Sequence, residues 1–256
     1  MKKILKNAIL VLFIIAIVGI VYVMYISNNS NPENYKKISE IPTPSGYVRV
    51  PTEKGSFGNY LRNLPLKPKD SKIKLYKGEE ASLQFLGYAV VDMPLFSNDE
   101  QCADVCMRLW AEYLYSKGLY NKISFTNVNG KKMAYQGGNS RDAFKKYMRN
   151  VFAYCNTNSL HRYIKKKSLA NLEVGDIFVY PWTGYGYGHA VMVADIAKNE
   201  DGEMAVLCVE GNTPARDIHV IRNPFPFRDA WSFINKEDTD IYINCFHFSN
   251  NNIREF

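Results

Sequence analysis

The chain has 256 residues, 46% of them hydrophobic and 14% aromatic, with a formal net charge of +7, which is enough apolar material for one globular core. Much of the positive charge is local, at Lys2, Lys3 and Lys6 and at Lys165 to Lys167. No glycine-rich phosphate loop, zinc-type cysteine spacing or RNA-binding aromatic signature accompanies it, so nucleic acid is not the expected partner. An anionic membrane or wall polymer accounts for the charge equally well.

Residues Ala8 to Ile26 are continuously apolar and, at about 1.5 Å per residue, approach the hydrocarbon thickness of a bilayer. The lysines before them favour a cytoplasmic N-terminus, and Val23-Met24-Tyr25 lacks a small-residue cleavage pattern. An uncleaved signal anchor over residues 1–27 is therefore expected, with the membrane as partner and everything beyond it extracytoplasmic, on the envelope side. Residues 28–46 are polar and proline-bearing and read as a flexible tether, leaving 47–256 as a single globular domain.

Within that domain a short helix is expected near Ser56 to Asn63, an edge strand in SKIKLYKGE, and a strand at Gly87 to Leu95. The clearest helix follows, with Ser97, Asn98 and Asp99 as capping residues, Glu100 completing a capping box with Ser97, and Gly118 as the stop. Cys102, Val105, Cys106, Leu109, Trp110, Tyr113 and Leu114 share its inward face. A hairpin with an Asn129-Gly130 turn, a helix from Asn139 or Ser140 to Cys155 and a short helix at Ser159 to Lys165 come next. Three strands then run over Asp176–Tyr180, His189–Ile196 and Met204–Glu210. Beyond them lie a strand at Asp217–Ile221, a proline- and phenylalanine-rich loop at Asn223–Phe227 and a last strand at Asp240–Phe248. Helix-rich and strand-rich blocks alternate without βαβ rhythm, so the fold class is α+β.

Five cysteines are too few for a disulfide scaffold, and their odd number leaves at least one thiol free. Cys102 and Cys106 are poorly aimed at each other, whereas Cys208 and Cys245 both lie in expected strands and are placed to pair. A thiol at a helix N-terminus becomes a nucleophile when its thiolate is populated, and an imidazole beside it helps. Asp99, Glu100 and Asp104 oppose this by charge unless they point away. His189 is the imidazole in the most suggestive setting, directly after the loop Gly184-Tyr185-Gly186-Tyr187-Gly188. Strict alternation puts His189, Val191, Val193 and Asp195 on one side of their strand, with Glu210 and Asn212 together at the end of the next.

Cysteine at a helix start, LEVGD leading a strand, GHAVMV, and a strand ending in Glu210-x-Asn212 resemble the papain-like cell-wall hydrolases of the NlpC and CHAP type. That resemblance implies a helix packed on an antiparallel sheet, with Cys102 as nucleophile, His189 as base, and Glu210 and Asn212 orienting the histidine. It also implies a cell-wall peptide as substrate and neither metal nor cofactor. Gln101 would add a donor, and Trp182, Tyr185 and Tyr187 would wall the substrate site. Over Arg49 to Asn223 the stretches KGSFGNYLRNLPLKP, QCADVCMRLWAEYLYSKG, LEVGDIFV, GHAVMVADIA and TPARDIHVIRNP resemble the bacterial envelope family known as domain of unknown function 4846. The expectation is a cysteine amidohydrolase or peptidase; the alternative is a non-catalytic envelope protein that binds or scaffolds.

Overall fold

The computed structural model describes residues 2–28, 31–223 and 230–256, with the side chains of the first helix described over 6–22. That helix, α1 (Lys2–Asn28), coincides with the apolar run. Its Leu12, Phe13 and Val18 are 66%, 62% and 62% exposed, so these side chains are not packed on the rest of the chain. Among the described residues no helix is long and apolar enough to cross a membrane.

The stretch expected to be a tether is docked from Asn31 onward. Asn31 is buried, and its amide donates to the carbonyls of Tyr35 and Lys67, both at 2.9 Å. Ile38 and Ile41 enter the core, and Trp231 Nε1 donates to Pro42 O at 2.8 Å. Apolar residues are sparse here, but two isoleucines three positions apart bury one side of a turn, and the asparagine satisfies the backbone around it.

Next come β1 (Val48–Arg49) and α2 (Phe57–Arg62), capped by Ser56 Oγ accepting from Asn59 N at 3.2 Å, then β2 (Gly87–Val90) and α3 (Cys102–Ser116). SKIKLYKGE makes only isolated bridges, Lys74 to Glu80 and Leu75 to Arg216. The hairpin is β3 (Ser124–Thr126) and β4 (Lys132–Ala134), followed by α4 (Arg141–Tyr154), α5 (Thr157–Tyr163) and β5 (Lys165–Lys166). The three strands around the histidine are β6 (Ile177–Tyr180), β7 (His189–Lys198) and β8 (Met204–Glu210). β9 (His219–Ile221), β10 (Ser232–Ile234), β11 (Asp240–Ile243), β12 (Phe246–Ser249) and β13 (Ile253–Glu255) follow. The last strand expected over 240–248 is thus a hairpin, turned at Asn244 with φ 58°. Beyond Asn223, the loop expected at 223–227 lies outside the described residues.

The architecture is α+β. The main sheet runs β2-β9-β8-β7-β6-β13-β5, with β1 on β7 and β10 on β8, and its pairings are antiparallel. Val105 and Leu109 of α3 and Met148 and Val151 of α4 pack with Met192, Leu207 and Val209 of the sheet. Phe178, Val191, Val193 and Val206 form a second cluster with Ile241, Ile243 and Phe248 of the β11–β12 hairpin. The sheet is therefore covered by helices on one face and by that hairpin on the other. Asp195 departs from the strict alternation. The register of β7 on β8 shifts between Val193 and Asp195, and an extra residue in one strand reverses the phase of those after it. Asp195, fully buried, leaves the side of His189 and is held by Arg49 Nε and Arg62 Nε at 2.6 Å each.

Candidate active site

The start of α3 is set by a tighter cap than the one expected at Ser97. Gln101 is the N-cap residue, and its backbone N donates to Asp104 Oδ2 at 3.0 Å. Glu100 does not act as a capping residue. Its Oε2 accepts from Phe96 N at 2.7 Å and its Oε1 meets Arg108 Nη1 at 2.6 Å, in a pair where both side chains are at most 2% exposed. A guanidinium buried nearly two turns into the helix thus draws Glu100 inward and moves the helix start to Cys102. Cys102, 7% exposed, becomes the first helical residue, where unpaired backbone N–H groups converge.

The acidic neighbours of Cys102 are disarmed in different ways. Asp99 is exposed, and Glu100 is neutralised by Arg108. Burial pushes the Asp104 carboxyl well above the usual range, consistent with an Oδ1 that is buried without a hydrogen-bond partner. A protonated carboxyl there spares the site a bare charge.

His189 opens β7 at 4% exposure, and its Nε2 lies 2.7 Å from Glu210 Oε2. Phe246 of the β11–β12 hairpin stacks on the imidazole with centroids 3.7 Å apart and planes at 20°. The Cys102 side chain is within hydrogen-bonding reach of the same ring. With Nε2 committed to Glu210, Nδ1 is the nitrogen left for the thiol. Burial would lower the imidazole pKa, but the hydrogen bonds and charges of Cys102 and Glu210 raise it to about 9. Burial would likewise raise Glu210, but His189 and His219 hold it down at about 2.

These shifts imply a stability window. The raised His189 contributes stability that is complete below its unfolded value of 6.5 and is lost as pH climbs through about 9. The depressed Glu210 contributes stability that is complete above 4.5 and is lost as pH falls through about 2. The two shifts share the His189–Glu210 pair, to which Cys102 adds on the first and His219 on the second. Urea unfolding from pH 2 to 10 is expected to show greatest stability between 4.5 and 6.5 and a decline on both sides; a flat profile from 6.5 to 9 contradicts it.

Two glycines let the elements close. A Cβ on Gly211 would stand 2.6 Å from Val105 Cγ2 and 3.3 Å from Gln101 O, so only glycine lets the end of β8 pass the head of α3. A Cβ on Gly188 would stand 2.2 Å from Thr157 Oγ1 and 2.7 Å from Trp182 N. Beside Cys102 lies a cleft of about 380 Å³ whose lining includes Gln101, Asp104, Thr157, Trp182, Tyr187 and Thr213.

Cys102, His189 and Glu210 are brought together, and Gln101, Trp182 and Tyr187 line the cleft. Tyr185, 93% exposed, projects from the same loop but is not part of that lining. Asn212 does not join the histidine: its Oδ1 turns back to accept from Thr213 N at 2.8 Å. Gln101 Oε1 accepts from Thr213 Oγ1 at 2.9 Å. His219, not singled out in the sequence, meets Glu210 Oε1 through Nε2 at 3.2 Å. Its only signal was a polar residue inside the apolar run IHVI. All five cysteines are free; Cys208 is buried in β8 while Cys245 sits exposed at the hairpin turn, so the pairing considered for them is not formed. Among the described residues no group of three or more His, Cys, Asp or Glu side chains is placed to hold a metal ion.

The family model described as domain of unknown function (4846) matches residues 38–255. No curated protein and no solved structure matches the chain.

Proposed function

The chain belongs to the domain of unknown function 4846 family, and on that premise we propose that it is a membrane-anchored cysteine amidohydrolase or peptidase acting on amide bonds of cell-wall peptides. One observation carries this: a thiol on the first residue of α3, in reach of an imidazole whose far nitrogen is held by a buried carboxylate. His189 Nδ1 takes the Cys102 proton, and the thiolate attacks the amide carbonyl carbon. Backbone N–H groups at the head of α3 face the developing oxyanion, with the Gln101 amide beside them. The imidazolium returns the proton to the leaving amine. Water, activated by the same imidazole, then cleaves the thioester and restores the thiol.

The likeness to NlpC and CHAP hydrolases implies roles for Cys102, His189, Glu210 and Asn212, but the Asn212 side chain is turned to Thr213 N, so the reading rests on the first three. Trp182 and Tyr187 offer the cleft an aromatic wall on a glycine-rich loop. The anchor is supported by the apolar run, by the exposed side chains of α1 and by the lysines before it; the site then lies on the extracytoplasmic side.

A second reading, a binding protein with an idle site, draws on the burial of Cys102. Alkylation separates the two. At neutral pH iodoacetamide is expected to modify Cys102 roughly tenfold or more faster in the wild type than in His189→Ala. Equal rates in both would sink the hydrolase and leave the binding protein.

A further inference from the structure

Glu210 spends one carboxylate oxygen on His189, and the other is met by a residue that the reaction above does not use. His219 Nε2 stands 3.2 Å from Glu210 Oε1, and both side chains are 2% exposed. The contact is built into the sheet. His219 opens β9 directly opposite Glu210 on β8 and opposite Val90 on β2, so strands on both sides hold its backbone. Its Nδ1 lies 3.0 Å from the carbonyl oxygen of Asp217. Carbonyl and carboxylate oxygens only accept, so both contacts are hydrogen bonds when both ring nitrogens carry hydrogen. Gly87 of β2 walls the ring: a Cβ there would stand 3.2 Å from His219 Cδ2.

We propose that His219 is a positioning residue for His189: it takes Oε1 of Glu210 and fixes the plane of the carboxylate, which keeps Oε2 on His189 Nε2 and Nδ1 aimed at Cys102. This role presupposes that Cys102 and His189 are nucleophile and base. The physical ground is torsional. A terminal carboxylate turns easily about its last bond, and with a single partner it can offer either oxygen. A second donor on the other oxygen removes that freedom. The hydrogen bond at one imidazole nitrogen decides what the other nitrogen presents, so the lock is passed through the ring to the thiol. His219 touches neither substrate nor thiol, and the cost of a buried histidine between Ile218 and Val220 is offset by this single task.

The test is the alkylation rate of Cys102 by iodoacetamide in the full 256-residue chain, compared for wild type, His219→Gln, His219→Met and each of these with Glu210→Gln. Glutamine keeps an N–H for Oε1, whereas methionine keeps the bulk and loses the donor. His219→Met is expected to slow alkylation about tenfold and His219→Gln less than about threefold. With Glu210→Gln in place, His219→Met is expected to add nothing, a coupling that a packing role does not produce. Equal slowing by Gln and Met, or no slowing by Met, overturns the proposal. A second measurement needs no variant: side-chain 15N NMR of the wild type is expected to show hydrogen on His219 Nε2, and a bare Nε2 overturns it as well. Failure of the hydrolase reading shows separately, as a wild-type rate no faster than that of His189→Ala, with His219 untouched; it removes the proposal too.

Discussion

Cys102→Ala is expected to stop product release from cell-wall fragments, with turnover falling at least about 10³-fold. The size follows from the lack of a substitute. Cys106 is fully buried, with its thiol pushed well above its ordinary range by burial, and Cys155 is pushed up to about 12. Cys245 is exposed at the hairpin turn beside Phe246, but it is on no helix start, and burial and the Glu210 charge push its thiol above the ordinary range. What remains in the variant is a cleft that still binds and orients an amide with only water to attack it. Mass spectrometry of soluble fragments measures the release; product at the wild-type rate from Cys102→Ala ends the case for a cysteine hydrolase.

Glu210→Leu is expected to cost about 3–5 kcal/mol of stability and to slow Cys102 alkylation in the same protein. The carboxylate is the shared partner of two histidines that are themselves nearly inaccessible to water. Removing it leaves His189 without its anchor and His219 with one unmatched nitrogen, in a site from which neither ring can turn to solvent. Leucine matches the volume, so the loss reports the interaction and not a cavity. Chemical denaturation gives the first quantity and iodoacetamide kinetics the second. A destabilised variant with undiminished alkylation would mean that Glu210 serves folding alone.

The central strands were legible because β6, β7 and β8 are nearly continuous apolar runs bounded by turn residues, with a glycine on each side of the site. The same signals marked His189 and Glu210, while capping residues marked α3 but set its start before Cys102. What escaped was whatever depends on pairing across the fold. His219 faces Glu210 only through the register of β9 on β8, across a loop that carries no pattern of its own. Asp195 changed sides because of a bulge, which leaves no mark on hydrophobic alternation. Gln101 displaced the stronger capping residues before it because Arg108, a turn and more downstream, claimed Glu100. Asn31 lies in a stretch of tether-like composition, and only its partners Tyr35 and Lys67 show why it is buried.

Phe246 and β13 bear on the order in which the site is made. Cys102, His189 and Glu210 are all synthesised by residue 210, yet the ring that stacks on His189 and the strand that pairs with β6 arrive some forty residues later. A nascent chain that ends before Phe246 therefore carries every reactive group with the imidazole uncovered on one face.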